Sequence, residues 1–149
     1  MTIKNKLIPM DKMQATMADL EAKMLQFPQA DCPITHEYAD GVYCRKMFAK
    51  AGTLVIGKRH RLRTLNFLLS GEVTVYAGQS MPVKRIKAPA SFTSDAMTKK
   101  LLFFHEDSIF ANIIPTNEID PDVIEQQFMI PEDEFVKLLE KEGQKCLSQ

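Results

Sequence analysis

A chain of 149 residues with 45% hydrophobic and 26% charged side chains can bury one core and has no length for a second. Nineteen basic residues balance nineteen acidic ones, which excludes a surface devoted throughout to nucleic acid or anionic lipid, and no nucleic-acid partner is expected. No apolar run is long enough to span a bilayer and residues 1–9 carry no signal-peptide core, so the expected location is cytoplasmic, with no membrane partner. Cys32, Cys44 and Cys146 form no Cys-x-x-Cys pair and read as reduced thiols rather than a metal or redox site.

The pattern along the chain predicts one domain over 1–149, in the order helix, β-barrel, helices. Residues 11–27 place Met13, Met17, Leu20, Met24 and Phe27 on one helical face ahead of Pro28. Such a Met-rich stripe suits the flank of a barrel or a subunit contact. From 33 to 115 the texture changes to short runs rich in β-branched and aromatic residues, at 41–48, 52–57, 64–69, 72–76, 83–86, 101–105 and 109–114. Ser70-Gly71 and Ala77-Gly78-Gln79-Ser80 mark reversals between them, and strands at this spacing predict a sandwich or barrel. Helix returns over 120–142. Asp120-Pro121 is an N-cap with proline at the first helical position, and Pro131 opens a second helix over 132–142 that Gly143 is expected to close.

The stretch from Gly52 to Gly71, with Lys58, His60 and Thr64 inside it, resembles the first cupin motif: Gly, five residues, His-x-His, three or four residues, Glu, six residues, Gly. Both glycines are in register, while Lys58, His60 and Thr64 fill the two histidine slots and the glutamate slot. The second motif runs Gly, five residues, Pro-x-Gly, two residues, His, three residues, Asn. It lies more loosely on Val83, Pro89, Ser91, Ser94 and Thr98, with Ser94 in the histidine slot. The runs His105 to Ser108 and Pro115 to Glu118, together with the short length, are similar to small cupin-like proteins of tailed bacteriophages. The resemblance implies a mainly β fold: a cupin-type double-stranded β-helix, or jelly-roll barrel, with an N-terminal helix and short C-terminal helices.

In metal cupins these four slots converge on a cation. Here only His60 remains an imidazole, and an ammonium at Lys58 opposes a metal, so no metal and no other cofactor is expected. Strand alternation would turn Lys58 and His60 inward, with Thr64 and Asn66 on the next strand, and would turn Arg59, Arg61 and Arg63 outward. The expected ligand-binding set is therefore Lys58, His60, Thr64, Asn66 and Ser94, with no catalytic residue assigned. Its chemistry suits a small anionic molecule, a nucleotide or sugar phosphate. The same charge run from 58 to 63 reads equally well as a solvated strand and loop.

A metal-free binder of this kind in a phage would sequester a host metabolite or an immune signal nucleotide in the host cytoplasm. One alternative is a sugar-nucleotide epimerase or isomerase, with His60 as base and Tyr38, Tyr43 or Tyr76 as acid. Another is a phage structural or assembly accessory protein. Cupin-like domains commonly pair, so a homodimer or higher homo-oligomer is expected. His36 reads as a surface residue and His105 as a hydrogen-bonded turn residue.

Overall fold

The computed structural model describes residues 10–78 and 81–147; residues 1–9, where the sequence shows no signal-peptide core, and Gln79 and Ser80 of the second reversal lie outside them. The strands are β1 (Ile34–Ala39), β2 (Val42–Ala49), β3 (Leu54–Ile56), β4 (Thr64–Ser70), β5 (Glu72–Tyr76), β6 (Lys84–Lys87), β7 (Ala90–Ser94), β8 (Leu101–Phe104) and β9 (Ser108–Ile114). They form two antiparallel sheets, ordered β1-β2-β9-β4-β7 and β3-β8-β5-β6. Each sheet interleaves early and late strands, which is the winding of a jelly roll and matches the barrel expected from the sequence.

Side-chain alternation decides what lies between the sheets. Leu68 pairs with Phe110 across β4 and β9, and Val75 with Leu102 across β5 and β8; all four are nearly fully buried. Met47, Val73, Phe92 and Phe104 complete this apolar half of the interior. Further along the same inward faces the residues turn polar: Asn66 pairs with Asn112, and Thr64 with Ser94. The barrel is thus oily at one end and hydrophilic at the other.

Gly71 makes the β4–β5 hairpin possible. Its φ is +90°, and a Cβ there would lie 2.6 Å from the Asp107 carbonyl oxygen and collide with Ser108, so no other residue fits.

Helix α1 (Met10–Met24) stops short of Phe27, which is 68% exposed. Met17 and Leu20 line an apolar groove with Leu54, Tyr76 and Phe103, which places α1 over the outer face of the four-stranded sheet. The side chains of Met10 and Met13 lie outside the described set. Two strands went unread in the sequence. β1 is exposed along its whole length, and β7 carries a single large apolar residue, Phe92, so neither has the composition of a buried strand.

Helix α2 (Pro121–Phe128) starts as expected, with the Asp120 carboxylate accepting from the Asp122 N–H at 3.0 Å. Helix α3 (Glu132–Leu147) runs straight through Gly143 rather than ending there. Gly143 has no positive φ, and glycine inside a helix costs about 1 kcal/mol without stopping it. No helix among the described residues is long and apolar enough to cross a membrane.

Candidate functional site

The polar end of the barrel is built from inward positions on four strands and two bends. On β2, Tyr43, Arg45 and Met47 alternate inward, so Arg45 projects just beyond the apolar core. On β8, Leu102 and Phe104 face inward, and Lys100, one step before Leu101, continues their row; it is 3% exposed. The Gly57 N–H donates to the Lys100 carbonyl at 2.9 Å, extending the β3–β8 ladder by one rung.

That rung corrects the expected inward set. Val55 lies opposite inward-facing Leu102, so Gly57 lies opposite Lys100 and the inward positions of this strand are odd-numbered. Lys58 therefore points out: its side chain is 57% exposed and ion-paired with Glu125 of α2. Arg59, expected outside, is 1% exposed. Alternation fails altogether beyond Gly57 because the chain leaves the sheet there. His60 is turned inward by a bend and an isolated bridge to Met129, not by strand period.

The second-motif register moves as well. Laid on Val83, the motif puts its glycine slot at Ser91, inside β7, where extended backbone needs no glycine. The residue between β7 and β8 with a positive φ is Met97, at 63°. Sliding the glycine slot to Met97 carries the histidine slot from Ser94 to Lys100, and Pro89 drops out of the match.

Thr64, Asn66 and Ser94 are buried, as their strand positions required. Their donors are spent on one another. Asn66 Nδ2 donates to the Thr64 carbonyl at 3.0 Å and to Ser94 Oγ at 3.1 Å, while Asn66 Oδ1 accepts from Asn112 Nδ2 at 2.6 Å. This wall fixes the chamber rather than offering free donors. The Thr64 hydroxyl donates its single proton to the Leu62 carbonyl at 3.1 Å, so at 3.1 Å from His60 Nδ1 it accepts. That makes His60 the Nδ1–H tautomer and leaves a lone pair on Nε2.

Electrostatically the chamber is lopsided. Burial first, then Lys100 and Arg45, push the His60 imidazolium down to about 3. Burial first, then Arg45, push the Lys100 ammonium down to about 8. Burial also lowers Arg45, with Tyr43 opposing. Among the described residues no carboxylate pairs with Arg45 or Lys100. A larger neighbouring cleft of about 780 Å³ is lined by Lys58, Arg59, Arg61 and Lys99 but also by Glu21, Asp122, Glu125, Glu132 and Glu134, so carboxylates outnumber cations there.

Helix α2 roofs the open end. Ile124, 1% exposed, packs on Tyr43 and Ile114. Between α2 and the β1–β2 hairpin lies a cleft of about 260 Å³, lined by Arg45, Tyr43, His36 and Lys58 together with the carboxylates Asp122 and Glu125. Tyr43 and His36 share a 2.7 Å hydrogen bond there. Tyr38 stacks on Tyr43, and Tyr76 sits beneath α1 on the other sheet. His105 bonds Thr74 Oγ1 at 2.7 Å, outside the chamber.

A metal does not suit this donor set. His60 is the single imidazole at the polar end, and the Lys100 and Arg45 charges act against a further cation near it. Among the described residues no three His, Cys, Asp or Glu side chains converge.

No protein-family model matches the chain, and no curated sequence does. Solved structures do. An uncharacterized conserved protein with a double-stranded β-helix domain from Klebsiella pneumoniae aligns with a TM-score of 0.50 at 14% identity, over 63% of this chain and 85% of that one. The fold is the cupin-type double-stranded β-helix. A cupin superfamily protein from Desulfitobacterium hafniense aligns at 0.49 with 13% identity, over 63% and 85% of the two chains. An acetylacetone dioxygenase from Acinetobacter johnsonii aligns at 0.46 with 19% identity, over 64% and 71%. At these identities the likeness carries the cupin fold and nothing of activity.

His60 gives an expected pH signature. Its charge is disfavoured in the fold by Lys100 and Arg45, with only neutral Thr64 bonded to it. Between the unfolded value of 6.5 and the folded value of about 3, the unfolded chain takes up a proton that the folded chain refuses. Stability therefore falls as pH drops through that window, by on the order of 5 kcal/mol at full extent. His60→Gln should remove that share of the acid slope. Urea titrations across the window that show equal slopes in the two proteins would refute a buried neutral imidazole.

Proposed function

We propose that this cupin-fold chain is a metal-free binding protein for a small anionic molecule, a phosphate- or carboxylate-bearing metabolite. Its anionic group sits on Arg45 and Lys100, inside the polar end of the barrel. The observation that supports the reading is a buried Lys100 and a half-buried Arg45 whose positive charges oppose one another, with no carboxylate ion-paired to either among the described residues. Burying unpaired like charges is costly unless a counter-charge arrives, so the chamber is complementary to an anion. The cleft reaching Arg45 is about 260 Å³, which admits a phosphate or a short acid and leaves the rest of a sugar phosphate or nucleotide at the rim. The resemblance to small phage proteins supports sequestration of a host metabolite or signal nucleotide as the biological use.

Calorimetry with inorganic phosphate, sugar phosphates and nucleotides tests the reading. Arg45→Met is expected to weaken binding roughly ten- to a hundredfold, the loss of one charge-assisted contact in a desolvated site. Binding that ignores Arg45 but depends on exposed Arg63 would move the site out of this cleft.

A further inference from the structure

We infer that the two clefts on either side of the Lys58–Glu125 ion pair hold one molecule between them: a monophosphate whose single anionic group sits at Arg45 and whose uncharged, hydroxyl-rich body lies in the larger cleft. This rests on the anion site proposed above and gives a place to the rest of its ligand.

Contiguity comes first. The cleft of about 260 Å³ that reaches Arg45 and the cleft of about 780 Å³ beside it share Lys58, Asp122, Glu125 and Met129 in their walls. What divides them is a ridge of side chains, with the Lys58–Glu125 pair on it. Those two side chains are 57% and 40% exposed, so the ridge is a low sill and not a closed wall. The smaller cleft takes little more than a phosphate. A longer molecule anchored at Arg45 finds the remaining room across the sill.

Charge decides what that remainder is. Each cation in the larger cleft is already ion-paired: Lys58 on the sill, Arg59 and Lys99 with Glu132, and Arg61 with Glu134. Asp122 is a further carboxylate on the same walls and enters no ion pair among the described residues. The larger cleft therefore presents acceptors and keeps its cations occupied. A second phosphate would meet an excess of negative charge there, whereas hydroxyl groups can donate to carboxylate oxygens. Met129, Ile130 and Pro131 add an apolar stretch suited to the C–H face of a sugar ring. Asp122 is exposed in the first turn of α2 and borders both clefts, so it is placed to accept from a hydroxyl just beyond the anionic group. The fitting class is the sugar monophosphates, with one charged end and a neutral polyol body.

The test is calorimetry on the full chain with inorganic phosphate, fructose 6-phosphate and fructose 1,6-bisphosphate. Fructose 6-phosphate is expected to bind about tenfold more tightly than phosphate, and the bisphosphate more weakly than the monophosphate. Gln126 is exposed on α2 and lines the larger cleft but not the smaller one. Gln126→Trp should therefore block the larger cleft, bringing fructose 6-phosphate down to the affinity of phosphate while leaving phosphate unchanged. Asp122→Ala should weaken fructose 6-phosphate roughly three- to tenfold and weaken phosphate not at all, since it removes an acceptor and a negative charge together. A bisphosphate that binds more tightly than the monophosphate, or a sugar phosphate indifferent to Gln126→Trp, would overturn the inference. If phosphate binds and the sugar adds nothing, the shared groove falls and the anion site stands. If neither phosphate nor fructose 6-phosphate binds, both fall.

Discussion

Arg59→Ala is expected to destabilise the domain by about 3–5 kcal/mol, the cost of breaking a buried ion pair from one side. The Arg59 side chain has no exposed surface and lies with its guanidinium carbon 3.6 Å from the centroid of the Phe135 ring. It donates to the Met97 carbonyl at 2.6 Å and to both Glu132 oxygens at 3.1 and 3.2 Å. One residue thereby ties the β7–β8 turn to the start of α3. Truncation would empty a large buried volume and leave Glu132 with Lys99 as its remaining ion-pair partner, at 3.3 Å. At roughly 2–4 °C per kcal/mol for a domain of this size, the melting temperature should fall by on the order of 10 °C. A strand-alternation reading makes Arg59 an outward residue whose loss is harmless. A melt within a degree or so of wild type would restore that reading.

Lys100→Met is expected to act in two opposite directions, stabilising the free protein while abolishing anion binding. The folded state holds the Lys100 ammonium near 8 against 10.5 when unfolded, through burial first and the Arg45 charge second. Below the folded value both states carry the proton and the fold bears the whole penalty, about 3 kcal/mol. As pH rises from about 8 to 10.5 the unfolded chain keeps a proton that the folded chain has released, so stability increases across that window. Methionine has nearly the same length and no charge, and replacing a buried uncompensated ion by an apolar side chain commonly gains about 1–4 kcal/mol. Urea unfolding near neutral pH should therefore place the variant above wild type, and the gap should close in alkali. Phosphate should raise the stability of wild type alone, by ligand linkage. A variant less stable than wild type at neutral pH without ligand would mean that the ammonium is already compensated.

The sequence was most informative where the chain runs in regular strands. Alternation through β4 identifies Thr64 and Asn66 as inward, and both are buried in the structure. Lys58 and Arg59 were misplaced because the motif set the inward register on even-numbered residues, whereas Val55 and Gly57 carry it on odd-numbered ones. Arg45 was hidden by its strand: β2 reads Val42-Tyr-Cys-Arg-Lys-Met-Phe-Ala49, with bulky and charged residues on both faces. Lys100 was legible in retrospect. Counting back by two from Phe104 and Leu102 puts it on the buried face, whereas the motif anchored on Pro89 drew the eye to Ser94.

Helix α2 is fastened at both ends. The Asn117 side chain accepts from the Gly41 N–H at 2.7 Å on one side, and on the other the Phe128 carbonyl accepts from the Arg61 N–H at 2.8 Å. Ile124 is seated between them on Tyr43 and Ile114. A cover pinned twice cannot swing on a single hinge, so the cleft of about 260 Å³ between α2 and the β1–β2 hairpin is a standing opening to Arg45 and not a gated one. The consequence is temporal. Capture and release at Arg45 would follow diffusion and the strength of the contacts, with no helix movement to wait for.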